Sequence, residues 1–191
     1  MKHSPGLLAE WALMVLLSAL LFVGFYHLNA VLFSGPFEHA QGINWIFLPA
    51  GFRVLLVLVL GWPGALGVLG GTFWLDQERL LEPGGWFTVL VTGLASGFGP
   101  WLLKRWMEAR GWLDAHLRAI SAQRLLNFVL LYAALNSVSH QVIRWSLLPI
   151  DSKPWLDVWP MFVGDALGAL LVLYSMKYAL AWWGRRSPAR D

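Results

Sequence analysis

The stretch Asn44–Trp74, NWIFLPAGFRVLLVLVLGWPGALGVLGGTFW, decides what kind of chain this is. It holds two apolar runs, Trp45–Leu60 and Ala65–Trp74, hinged at Gly61-Trp62-Pro63-Gly64. Arg53 lies several residues inside the first run. Hydrocarbon offers a charge no water, so an arginine at such a depth is a functional-site candidate that needs a partner. Close to a helix end it can instead run its aliphatic stem along the apolar surface and reach water with its head.

Working outward, the composition agrees with those runs. Of the 191 residues, 58% are hydrophobic and only 13% charged, well below the quarter expected of a soluble domain, so the chain is read as an integral membrane protein. Many of the 13 tryptophans, among them Trp11, Trp45, Trp62, Trp86, Trp101 and Trp159, fall at the ends of apolar runs, where an interfacial aromatic belt is expected. The basic residues cluster beside these runs, so the formal charge of +3 argues for a membrane surface and not for nucleic acid. With no cysteine, disulfides, thiolate metal sites and thiol nucleophiles are excluded.

The pattern predicts one all-α membrane domain over 1–191, a compact bundle of about six transmembrane helices with approximate spans 7–33, 45–60, 63–75, 86–106, 125–148 and 158–183. The first resembles a signal peptide, but its length, Glu10 and the lack of a small-x-small cleavage site make it a retained helix. The third is near the lower limit for crossing about 30 Å of hydrocarbon and is short or re-entrant. Between spans four and five, Lys104–Arg124 reads as an amphipathic connector helix on the inner surface, with Trp106, Met107, Trp112, Leu113 and Leu117 apolar and Arg110, Arg118 and Arg124 basic. Lys2, the connector and Arg185, Arg186 and Arg190 would share one side. The other carries Glu38, Asp76, Glu78, Glu82, Asp151 and Asp157, with Arg79 and Lys153 as its cations. Cationic loops stay cytoplasmic. The expected location is therefore the bacterial inner membrane, multi-pass, with both termini cytoplasmic.

That orientation gives each polar residue a depth. Arg53 lies about eight residues below the outer end of span two, roughly 12 Å down. Asp165 lies at a similar depth in span six. Asn136, His140 and Arg144, spaced i, i+4, i+8, share one face of the outer half of span five. His27, Asn29 and Thr72 sit near outer span ends. The convergence predicts an outward-facing polar pocket lined by Arg53, Asn136, His140, Arg144 and Asp165, with Arg53 and Asp165 paired across spans two and six. A purely structural network is the alternative. Gln141, pointing elsewhere, reads as a helix–helix hydrogen bond. Gly67/Gly71, Gly93/Gly97 and Gly164/Gly168 are small-xxx-small patterns that let helices approach closely. Pro49 removes a backbone donor within span two and is expected to kink it or free a carbonyl. No HExxH, phosphate loop or nucleophile elbow occurs, so no enzyme, cofactor or metal site is expected.

Two segments carry a family resemblance. Trp45-Ile-Phe-Leu-Pro49-Ala-Gly51-Phe with Gly61-Trp62-Pro63-Gly64 and Gly67, and Phe162-Val-Gly164-Asp165-Ala-Leu-Gly168, resemble the membrane-associated sensor (MASE, type one) family. The resemblance implies structural roles for Pro49, Gly51 and Gly168 and a role for Asp165 in the last helix; Gly164 reads as structural through its small-xxx-small pattern. Family members usually precede a cyclase, phosphodiesterase or kinase domain; this chain reads as a short stand-alone version. It is therefore expected to be a sensor-like or ligand-binding module for a small polar or anionic ligand, acting through a protein partner. The alternatives are a substrate-binding subunit of an energy-coupling-factor-type transporter, to which six spans and an outward pocket are also similar, and a membrane scaffold.

Overall fold

The computed structural model describes residues 5–33, 35, 37–40, 42–113, 121–148 and 153–186. Among them the chain forms an all-α bundle of six helices: α1 (Pro5–Phe33), α2 (Leu48–Leu60), α3 (Trp62–Leu75), α4 (Gly85–Ala109), α5 (Ala122–Leu147) and α6 (Pro154–Arg186). Four of these, α1, α4, α5 and α6, are long and apolar enough to cross a membrane. The charge argument rests partly on Lys2, Arg118, Asp151 and Arg190, which lie outside the described residues, as does Leu117.

The deciding stretch folds as a helical hairpin. α2 and α3 have 13 and 14 residues, about 20 Å each at 1.5 Å per residue, against about 30 Å of hydrocarbon. Gly61 joins them with φ +67°, a conformation that favours glycine. The two ends of the hairpin are distinct. Leu48 donates its N–H to Asn29 Oδ1 near the end of α1 (2.9 Å), whereas Trp62 packs edge-on against Trp11 near the start of α1. α2 therefore runs antiparallel to α1, and α3 returns parallel to it.

Helix α2 begins three residues later than the expected span. Residues 45–47 are not helical, and Phe47 N–H bonds to Gly164 O of α6 at 3.1 Å, committing the backbone to another element. Pro49 falls in the first turn of α2, where its missing N–H has no intrahelical partner to lose. The mid-helix kink expected of it is absent, and Arg53 lies five residues into the helix, not eight. The polar segment before it forms a two-stranded antiparallel ribbon of Glu38–Ala40 and Ile43–Asn44.

Glycine sets the helix spacings. A Cβ on Gly164 would collide with Asn44 O, and one on Gly168 with Phe47 O; one on Gly51 would meet Gly168 O at 2.6 Å. Gly51, Gly164 and Gly168 thus let α6 touch the backbone that leads into α2. Gly67 and Gly71 do the same for α3 against Ser18 and Phe22 of α1, and Gly93 and Gly97 for α4 against Leu69 and Ala65. Ser18 Oγ donates to Gly64 O at 2.9 Å, which satisfies that buried hydroxyl.

The end of the bundle that holds the hairpin tip is sealed by Leu58, Met107, Leu113 and Phe128, part of one apolar cluster that continues through Val54 and Tyr132 to Ala50. This corrects the expected connector. Residues to Ala109 belong to α4, Gly111 (φ +69°) breaks the helix, and Ser121 caps α5 by accepting from Arg124 N–H at 3.2 Å. Met107 and Leu113, expected on a membrane surface, are buried in the core because burial there removes them from water and lipid alike. The connector between residues 114 and 120 lies outside the described residues.

Candidate functional site

At the opposite end the helices splay around a cavity of about 500 Å³. Its floor is built by three helices that share one hydrogen-bonded chain. Arg53 of α2 donates through one terminal nitrogen to Asn136 Oδ1 (3.2 Å) and to Tyr132 Oη (3.4 Å), both on α5. Asn136 then donates through Nδ2 to Asp165 Oδ2 of α6 at 2.6 Å. Phe22 and Phe47 place their rings 5.3 Å from the guanidinium carbon of Arg53, a cation–π distance.

Asn136 thus stands where a direct Arg53–Asp165 pair was expected. Among the described residues no carboxylate lies within 4 Å of Arg53 and no cation within 4 Å of Asp165. The reason is geometric: α5 packs against α6, the long Arg53 side chain reaches across to it, and the Asn136 amide sits where the charges would meet. Both charged groups are buried, Arg53 4% and Asp165 1% exposed, and each keeps one atom without a partner, Arg53 Nε and Asp165 Oδ1.

The cavity walls carry two polar ladders. On α5, His140 and Arg144 rise above Asn136 as the i, i+4, i+8 spacing requires, and both line the cavity. On α4, Thr88, Thr92 and Ser96 repeat the same spacing and face them. The ladders touch at their base, where Ser96 Oγ and His140 Nε2 lie 3.1 Å apart. Helices α4 and α5 run in opposite directions, so Thr88 and Arg144 share the upper level. The rim adds Asp76, Arg79 and Glu82 from the segment between α3 and α4. Burial pushes the Asp76 carboxyl above its ordinary value, with the nearby Arg79 charge opposing the shift. Behind the rim, Asp157 at the start of α6 pairs with His39 of the ribbon at 3.4 Å and accepts from Lys153 N–H at 3.2 Å.

Of the residues expected at the site, Arg53, His140, Arg144 and Asp165 all line the cavity, and Asn136 lies just beneath it, holding two of them. Thr72 also lines it. His27 does not; it is exposed on α1, while Asn29 is used to cap α2. Gln141 bonds across to Met161 Sδ of α6 at 3.6 Å, a helix–helix contact away from the floor network. Sequence reading missed Tyr132, Ser96, Thr92, Thr88 and the rim. The α4 ladder could have been found by the spacing that revealed its α5 counterpart, but hydroxyls cost little in a membrane helix and drew no attention.

Among the described residues no group of three or more His, Asp or Glu side chains is placed to hold a metal ion. Comparison of the chain with protein-family models, with curated proteins and with solved structures returns no match.

Proposed function

We propose that this chain is a membrane-embedded ligand-binding module of the sensor type, with the cavity as its binding site. One observation carries the reading. Two oppositely charged side chains at the floor of a cavity of about 500 Å³ are almost fully buried yet incompletely bonded. A buried charge short of partners is expensive, and intramembrane charges held at that cost mark functional sites. The cavity volume falls within the range of small-molecule pockets, roughly 300–1,000 Å³.

The sensor assignment is supported by how the two family-like segments lie. Pro49 and Gly51 of one and Gly164 and Gly168 of the other converge at the α2–α6 contact, directly beside Asp165. A ligand at the floor would bear on that contact, and a protein partner would read the resulting shift. Orientation follows from charge. Lys104, Arg105 and Arg110 lie at the sealed end, which favours the cytoplasmic side of a bacterial inner membrane for that end and the outside for the cavity.

Native mass spectrometry of protein extracted gently from its own membrane tests the binding reading. A small molecule should remain on the parent protein and be lost from Thr92→Trp, which fills the cavity from its α4 wall. A spectrum showing lipid alone, unchanged by the filling substitution, would overturn it.

A further inference from the structure

The floor also specifies what kind of ligand it would take; this step rests on the binding reading above. We propose that the cavity binds a small zwitterion of the α-amino-acid type with an aliphatic side chain, its carboxylate at Arg53 and its ammonium at Asp165.

The argument begins with the spacing of the two charges. Among the described residues Arg53 donates only to neutral acceptors, the Asn136 amide oxygen and the Tyr132 hydroxyl. Asp165, among the same residues, accepts only from the neutral Asn136 amide. One amide therefore keeps a full positive and a full negative charge near each other without letting them pair. Each retains a buried atom without a partner, Arg53 Nε and Asp165 Oδ1. In a site of low dielectric such charges attract a counter-charge far more strongly than they would in water.

The sign of the ligand follows. A simple anion would satisfy Arg53 and be repelled by Asp165; a simple cation would meet the reverse. A group with carboxylate and ammonium on one carbon answers both at once. The rim does not tip the balance, because its two arginines, Arg79 and Arg144, face two acids, Asp76 and Glu82. The remainder of the ligand is set by the walls. The rings of Phe22 and Phe47 are engaged with Arg53, which leaves a lining that is mainly aliphatic, Ile43, Leu75, Ile143, Leu148 and Met161, beside the ring of Tyr26.

The test uses the full chain in lipid nanodiscs and L-leucine, L-isoleucine and L-methionine as probes, with binding read by calorimetry. Leucinamide, which lacks the carboxylate, and 4-methylpentanoate, which lacks the ammonium, are the controls. At least one amino acid should bind one to one. Truncating one partner of a buried, hydrogen-bonded charge pair costs about 2 kcal/mol or more, so each control should bind at least about thirtyfold more weakly. Arg53→Gln should weaken the amino acid and leave leucinamide unaffected, and Asp165→Asn should weaken it and leave 4-methylpentanoate unaffected; the parent's probe series stands even where these variants fold poorly. A control binding as tightly as leucine would overturn the proposal. So would failure of all three probes when mass spectrometry of the same preparation shows a non-zwitterionic ligand, which leaves the binding reading intact. Failure of the probes with no small molecule retained would overturn both.

Discussion

Asn136 Nδ2 donates to Asp165 Oδ2 across 2.6 Å, so the carboxylate of α6 is tied to an amide of α5 and not to the arginine of α2. The same amide accepts from Arg53 through its oxygen. One side chain thereby joins three helices and keeps two charges from neutralising each other. Such a spacer makes sense where both charges must stay available, and it makes Asn136 the residue on which the floor depends.

Replacing that spacer is the direct check. Asn136→Leu keeps the branching and heavy-atom count of the side chain but removes two hydrogen bonds to charged groups, each of about 1.5–3 kcal/mol, and strands both charges in the core. The variant should unfold more easily by about 3 kcal/mol or more on that scale, measured by denaturant titration in a bilayer mimic. Arg53→Ala and Asp165→Ala should couple by more than the 0.5 kcal/mol or so of additivity error in the parent. In the Asn136→Leu background their coupling should change. Unchanged coupling would mean the amide transmits nothing between them.

Glycine substitutions separate close helix contact from helix propensity. Gly168→Ala drives a Cβ into Phe47 O, and Gly164→Ala into Asn44 O, backbone atoms that cannot rotate away. Each should cost about 1–3 kcal/mol, the usual range for overpacking a tight core. At Gly70 in α3 an added methyl group would meet nothing within 4 Å. There alanine should be neutral or gain up to about 1 kcal/mol from its better helix propensity. Thermal unfolding of the three variants side by side gives the ordering; a Gly70→Ala variant as damaged as Gly168→Ala would contradict it.

The limits of what the residues revealed have physical causes. Long apolar runs marked α1, α4, α5 and α6 closely, because a run of that length has few ways to satisfy its backbone in lipid. The start of α2 was hidden, since it is decided by Phe47 N–H reaching Gly164 O, a bond between residues far apart in the chain. Depth along each helix was legible from spacing and loop charge, and it brought Arg53, His140, Arg144 and Asp165 to one end of the bundle. Rotation about the helix axes was not legible. That rotation turns Asn136 between Arg53 and Asp165, and it turns His27 outward although its depth is right.

Orientation in the membrane is open to labelling, because the absence of native cysteine leaves no background. Glu82→Cys at the cavity rim should react with a membrane-impermeant thiol reagent in intact cells. Arg110→Cys, just beyond α4 at the sealed end, should react only after the membrane is opened. The reverse pattern would place the cavity on the cytoplasmic side and with it the ligand source.

The last prediction concerns the rim and its response to pH. Burial raises the Asp76 carboxyl above its ordinary value of 3.8, while Arg79 pulls it back. The folded chain therefore holds this proton more tightly than the unfolded chain does. Between the ordinary value and the raised one the native state binds more protons, so stability falls as pH rises through that window. Above the window the full penalty of a partly buried charge is present; below it, none is. Asp76→Asn removes the titration and should melt higher than the parent at neutral pH, with the difference closing as pH falls toward the ordinary carboxylate value. Arg79→Gln removes the opposing charge, which should lift the carboxyl further and carry the loss of stability to higher pH. Melting curves of the three proteins in the same nanodiscs, from about pH 3.5 to about pH 7.5, resolve the order. A parent more stable than Asp76→Asn at neutral pH would show that the ionised carboxylate is held by partners at the rim that outweigh its burial.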